Sequence, residues 1–190
     1  MDKTARILET ALKLFVEYGF HGTPTSRIAS EAGVSNGTLF HYFKTKDELV
    51  VALYNTIKEE LNQFLARQTD DTAPVKEKFR RLFIGSVEWS LDNREAFYFL
   101  QQFRFSPHLS LISEEDRHRQ TELHNRLLRE AIQANILKPL PPDLLAALID
   151  NQLYGLHQYL VKQPEAVDRQ SLIKNVFELT WKMVANPEQP

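Results

Sequence analysis

Residues 25 to 42 read Thr25-Ser26-Arg27-Ile28-Ala29-Ser30-Glu31-Ala32-Gly33-Val34-Ser35-Asn36-Gly37-Thr38-Leu39-Phe40-His41-Tyr42. Apolar residues recur at helical spacing on both sides of Gly33, so the stretch reads as two short helices meeting at a tight turn. Gly33 accepts the positive φ such a turn needs, and Ala29 is small enough for steeply crossing helices to touch. Ile28, Ala32, Val34, Leu39 and Tyr42 take the inward positions, which leaves Ser26, Arg27, Asn36, Gly37, Thr38 and His41 facing outward. A second helix whose exposed face carries short hydrogen-bonding side chains suits the DNA major groove, where it meets base edges. The same spacing also occurs in helix pairs used for packing alone.

Outward from this stretch the chain is helical throughout. Ile7, Leu8, Ala11, Leu12 and Phe15 form one stripe, predicting a first helix over about 3–19 that stops near Gly19 and Gly22. Thr23 before Pro24 reads as the N-cap of the second helix, with proline at its first position. Ser35 caps the two-turn third helix, and Thr45 with Glu48 forms a capping box that opens a long fourth. There Leu49, Leu53, Ile57, Leu61 and Leu65 recur every four residues. A polar break at Gln68 to Thr72 and caps at Asp92 (with Glu95), Ser113 (with Asp116) and Asp168 divide the rest into helices at 74–91, 93–105, 113–137, 142–162 and 168–185. The fold class is all-α with about nine helices: a helix–turn–helix domain at 1–47, then a helical domain at 48–190.

Composition narrows the function. The chain has 190 residues and no cysteine, which excludes disulfide scaffolds, thiolate metal sites and thiol nucleophiles. The longest aliphatic run, Leu144 to Ile149, is far short of the roughly 20 residues of a membrane helix, and Asp2 and Glu9 argue against a signal peptide. A cytoplasmic protein without membrane contact is expected. The net charge is −2, and residues 1–50 hold six basic and six acidic side chains, so nucleic-acid binding must rest on where charges sit rather than on their sum.

The segments Ile7-Leu-Glu-Thr-Ala-Leu-Lys-Leu-Phe15, Tyr18-Gly-Phe20, Ile28-Ala-Ser-Glu-Ala-Gly-Val-Ser35, Gly37-Thr-Leu-Phe-His-Tyr-Phe43 and Lys44-Thr-Lys-Asp-Glu-Leu49 closely resemble the TetR family of bacterial transcriptional regulators. That resemblance implies a homodimeric regulator, a repressor on a palindromic double-stranded DNA operator, released by a small-molecule effector. Carried over by position, it makes Asn36, Gly37, Thr38 and His41 the base-reading face with Ser26 nearby, and puts Thr25, Phe40, Tyr42 and Lys46 against phosphates or the groove wall. Lys46 opens the fourth helix, where its charge and the helix N-terminus act on one phosphate together.

Other signals are weaker. Gly33-Val-Ser35-Asn-Gly37 spells the G-x-S-x-G elbow of serine hydrolases, but that elbow needs a strand leading into the turn, and the sequence before it is helical. Asn36-Gly-Thr38 spells a glycosylation acceptor that a cytoplasmic protein would not use. His108, His118 and His124 lie in one region without the spacing that puts two imidazoles on one helical face, so no metal site, cofactor or catalytic activity is expected. Trp89, Phe97, Tyr98, Phe99, Phe103 and Phe105 are dense enough for a solid core or for the wall of a cavity, and the residues alone leave both open. The C-terminal half weakly resembles the multidrug-sensing repressors of the family. On that basis Phe64, Trp89, Phe99, Phe103, Tyr154 and Tyr159 are candidate walls for a largely apolar or aromatic effector, with His157 and Gln158 as orienting groups. Two wide stripes, with Leu144, Leu145, Leu148, Ile149, Gln152, Leu153, Leu156 and Tyr159 on one helix and Leu172, Ile173, Val176, Phe177, Thr180, Trp181 and Val184 on the next, are the expected dimer interface.

Overall fold

The computed structural model describes residues 2–70, 72–163 and 168–187. Among them are nine α-helices: α1 (Lys3–Gly22), α2 (Thr25–Glu31), α3 (Asn36–Tyr42), α4 (Lys46–Ala66), α5 (Val75–Asp92), α6 (Arg94–Arg104), α7 (Glu114–Gln133), α8 (Pro142–Lys162) and α9 (Arg169–Val184), with a 3-10 helix, η1 (Pro107–Leu111), after α6. No helix among the described residues is long and apolar enough to cross a membrane. The chain forms two compact units, Met1–Glu60 with Asn93–Arg117, and Leu61–Asp92 with His118–Pro190. The boundary expected at 47/48 falls inside the first turn of α4, and α6 with η1 joins the helix–turn–helix rather than the C-terminal helices.

Local chemistry sets most boundaries. Ser35 accepts the Thr38 N–H at 3.0 Å and so caps α3; Ser113 and Asp168 do the same for the Asp116 and Ser171 N–H groups at the starts of α7 and α9. At the start of α4 the Thr45 hydroxyl accepts the Glu48 N–H at 3.0 Å. The Glu48 carboxylate reaches back one residue further than a capping box predicts, to the Lys44 N–H at 2.7 Å. Gly33 sits at φ +65°, as the turn between α2 and α3 requires.

Three expectations fail for identifiable reasons. Thr23 does not cap α2: Gly19, at φ 71° and ψ 169°, kinks α1, and the buried Thr23 hydroxyl donates to the carbonyls of Leu14 (3.0 Å) and Gly19 (2.8 Å) instead. Asp92 belongs to the end of α5, and Asn93 precedes α6 without a side-chain cap. Finally, α7 stops at Gln133, short of 137, because Asn135 takes φ 61° and the Ile136 N–H turns back to the Ala131 carbonyl. Residues 136–138 then pair with the end of α9 through Lys138 N–H to Val184 and Asn186 N–H to Ile136.

The core of the first unit is aromatic. Phe15 and Phe20 of α1 meet Phe99 of α6, with the Phe20 and Phe99 rings edge-on at 5.6 Å, and Tyr54 of α4 stacks on Phe103 at 4.0 Å. The second unit has a cluster of Phe83 and Val87 from α5, Leu156 and Leu160 from α8, and Ile173 and Phe177 from α9. Beside it, Leu128 and Ala131 of α7 pack with Leu137, Leu145 and Val184.

Candidate nucleic-acid interface

The helix–turn–helix presents its outward face as the sequence pattern requires. Ser26, Asn36, Gly37, Phe40 and His41 are exposed, while Ile28, Ala29, Ala32 and Leu39 are buried. Thr25, Thr38 and Lys46 are half-buried. Thr38 bonds back to Ser35 through its hydroxyl at 2.9 Å as well as its N–H, which fixes its position at the first turn of α3. Phe43, at the end of α3, is buried at 7% exposure. Tyr42, placed inward by the periodicity, is 42% exposed, because α3 ends there and the inward register passes from Leu39 to Phe43. Its ring stands edge-on to His41 at 5.5 Å.

The cations differ in availability. Arg27 is not a free outward charge: its guanidinium lies 4.1 Å over the Tyr18 ring and pairs with Glu31 at 2.7 Å, contacts that push its pKa well above the usual arginine value. Lys44 donates to the His41 carbonyl at 3.3 Å. Burial pushes the Lys46 ammonium below its usual pKa, opposed by the adjacent Asp47 carboxylate. A cation held partly out of water and not neutralised by a direct partner gains from meeting a phosphate.

The candidate effector residues fall in both units. Phe99 and Phe103 are fully buried in the first unit's aromatic core. In the second unit Phe64 packs beside Leu65, Leu82 and Leu127, and Trp89 is 5% exposed. His157 is buried, its Nδ1 2.9 Å from Ser90 Oγ; that hydroxyl donates to the Val87 carbonyl at 2.7 Å, so Nδ1 is the donor to it. Tyr154 and Tyr159 are 41% and 48% exposed, and Gln158 is half-buried. At 100° per residue, Tyr154 and Tyr159 lie on the outward side of α8, whereas His157 points inward.

The dimer stripe divides in the same way. Leu145, Leu156, Ile173 and Phe177 are buried within the chain; Leu148, Ile149, Leu153, Leu172, Val176 and Trp181 are half-buried and Gln152 is exposed. The expected stripe mixed two lines: its Leu144 and Tyr159 are exposed, and it left out the exposed Leu179 and Gly155, where a Cβ would meet nothing within 4 Å. A finer register of α8, separating the 144-148-155-159 line from the 145-149-156-160 line, would have told them apart.

A capped two-turn helix with an exposed polar edge, set at a glycine turn beside a half-buried lysine, belongs to a DNA-binding regulator of the helix–turn–helix class. Residues 7–53 match the model of bacterial regulatory proteins of the tetR family, and residues 54–186 match the tetracyclin repressor-like C-terminal domain. The chain belongs to the TetR family, and it is a DNA-binding transcriptional regulator, as its relatives are, rather than an enzyme. A tetR-family transcription regulator from Shewanella sp. PV-4 has the same fold, with a TM-score of 0.88 and 30% identity over 97% of this chain and 99% of that one. The transcriptional repressor KstR2 of Mycobacterium tuberculosis is 29% identical over 144 residues, 73% of this chain and 70% of that one. The fatty acid metabolism regulator protein of Bacillus subtilis is 37% identical over 76 residues, which span 40% of this chain and 36% of that protein.

Proposed function

We propose that the chain is a homodimeric repressor that lays α3 in the major groove of each half of a palindromic operator and leaves it when a largely apolar small molecule binds the second unit. The observation that carries the DNA-reading surface is the edge of exposed Asn36, Gly37 and His41 with half-buried Thr38 on a helix whose start Ser35 fixes. Ser26 and Thr25 flank that edge, and Phe40, Tyr42 and Lys46 form its rim.

Dimerisation is supported by the line of exposed Leu144, Gly155 and Tyr159 with half-buried Leu148 on α8, together with exposed Leu179 and the half-buried Leu172 and Val176 on α9. Two such faces related by a two-fold axis make a four-helix bundle with a closed apolar seam. For the effector, a buried Ser90–His157 pair inside apolar packing is the kind of polar handle that orients a greasy ligand, with Trp89 next to it in sequence. KstR2 is a ketosteroid transcriptional regulator and the relative from Bacillus subtilis is a fatty acid metabolism regulator, so a panel of test ligands holds steroids, fatty-acyl compounds and aromatic cations.

The test starts with duplexes selected by the protein from a randomised library. A palindrome should emerge, and a member of the panel should quench Trp89 fluorescence in a Trp181→Phe background while releasing that duplex. Selection of no common sequence would overturn the operator reading. Quenching without release would overturn effector control.

A further inference from the structure

His108 does more than fill space. It lies on η1, 9% exposed, against the rings of Phe20 at 5.0 Å and Phe103 at 6.3 Å. Its Nε2 is 3.1 Å from Asp47 Oδ1, and its Nδ1 is 3.3 Å from Ser106 Oγ. The Ser106 hydroxyl also reaches the Phe103 carbonyl at 2.8 Å. An ionised carboxylate only accepts, so Nε2 is the donor to Asp47. The Ser106 contact on the far side of the ring aims it at the carboxylate.

Asp47 follows Lys46 in the first turn of α4. A carboxylate is favourable there, because it faces the unpaired N–H groups of the helix start. It is unfavourable for binding DNA at the same place, since it repels a phosphate and competes for the lysine's three N–H donors. The Asp47 side chain is 64% exposed, so the His108 bond is what restrains it. Among the described residues the Lys46 ammonium is in no salt bridge, although Asp47 is near enough to act on its titration.

We infer that His108 is a positioning residue for DNA binding: it holds the Asp47 carboxylate away from Lys46 and so leaves the lysine to a backbone phosphate. The inference rests on the reading of Lys46 as a phosphate contact, and the test separates the two. The probe is a labelled duplex chosen by the wild-type protein from the random library, titrated over a range of salt, with thermal melting to show that each variant is folded. Lys46→Ala should weaken binding about fivefold to tenfold and reduce the salt slope by about 0.9 for each subunit engaged. His108→Leu, which fills the apolar site but cannot donate, should do nearly the same, and should add little in a Lys46→Ala background. His108→Gln, which keeps a donor near the Nε2 position, should bind close to wild type. The signature is rescue: Asp47→Asn in the His108→Leu protein should restore affinity and slope, because the competing charge is gone. If the double variant stays as weak as His108→Leu, or if His108→Leu binds as wild type while Lys46→Ala is impaired, the positioning role is wrong. If Lys46→Ala itself changes nothing, the phosphate contact is wrong and the role built on it falls too.

Discussion

Thr38 and Lys46 sit a few residues apart, and their loss should be felt in different ways. Thr38→Ala or His41→Ala removes a group proposed to meet base edges, so each should weaken the selected duplex by about 1–3 kcal/mol and relax sequence preference at one position. Lys46→Ala should weaken all sequences alike. Gel-shift titrations on selected and scrambled duplexes measure both effects, and equal loss on both duplexes for the Thr38 and His41 variants would show that neither reads a base. Arg27, by contrast, is already committed to Tyr18 and Glu31, so Arg27→Ala should leave the salt slope unchanged. The outward positions of Asn36, Gly37 and His41 could be read from helical period alone. The engagement of Arg27 could not, because the Tyr18 ring that receives it lies on another helix.

At the scale of the helices, α5 carries the clearest pH dependence. Bidentate bonds from Arg80 and a further bond from Arg81 hold the Glu77 carboxyl at about 2, against an ordinary value of 4.5. The folded value is the lower one, so the stabilisation is fully present above pH 4.5 and fades as pH falls toward 2. Glu77→Gln should therefore lower stability at pH 7 by less than about 1 kcal/mol, as exposed pairs do, with the difference from wild type shrinking in acid. Urea melts at pH 7 and pH 3 check this, and an equal difference at both would refute it. Caps such as Ser35, Thr45, Ser113 and Asp168 were legible because donor and acceptor are three residues apart. Thr23 was not, since its hydroxyl serves carbonyls set free by a kink at Gly19. The end of α7 escaped for a related reason: asparagine in the left-handed region is a weaker signal than glycine, and the pairing with α9 that accompanies it is non-local.

At the scale of the whole molecule, the proposed dimer turns on Gly155. With nothing within 4 Å of its Cβ position, Gly155→Leu should leave the monomer intact and even improve helix propensity by about 0.6–1 kcal/mol. On the proposed two-fold seam the same side chain would hold the partner helix away. Sedimentation at micromolar concentration should find the wild type at twice the chain mass and the variant at once; a variant that remains dimeric would move the interface elsewhere. That α8 and α9 are amphipathic was plain from the sequence. Which arc packs inside the chain was not, because both arcs are apolar and only the three-dimensional packing against α5 tells them apart.

The placement of α6 and η1 with the helix–turn–helix bears on how such a gene can be recombined. Phe15 and Phe20 find their ring partner at Phe99, Tyr54 stacks on Phe103, and Gln102 donates to the Val16 carbonyl at 3.3 Å, so the first unit is encoded in two separated pieces. A chimera that transplants only residues 1–60 onto another regulator would arrive with its aromatic core cut open. One that carries residues 93–117 along would bring a complete module. Recombination between relatives should thus tolerate crossovers near residues 60, 93 and 117 as a set, and penalise any one of them taken alone.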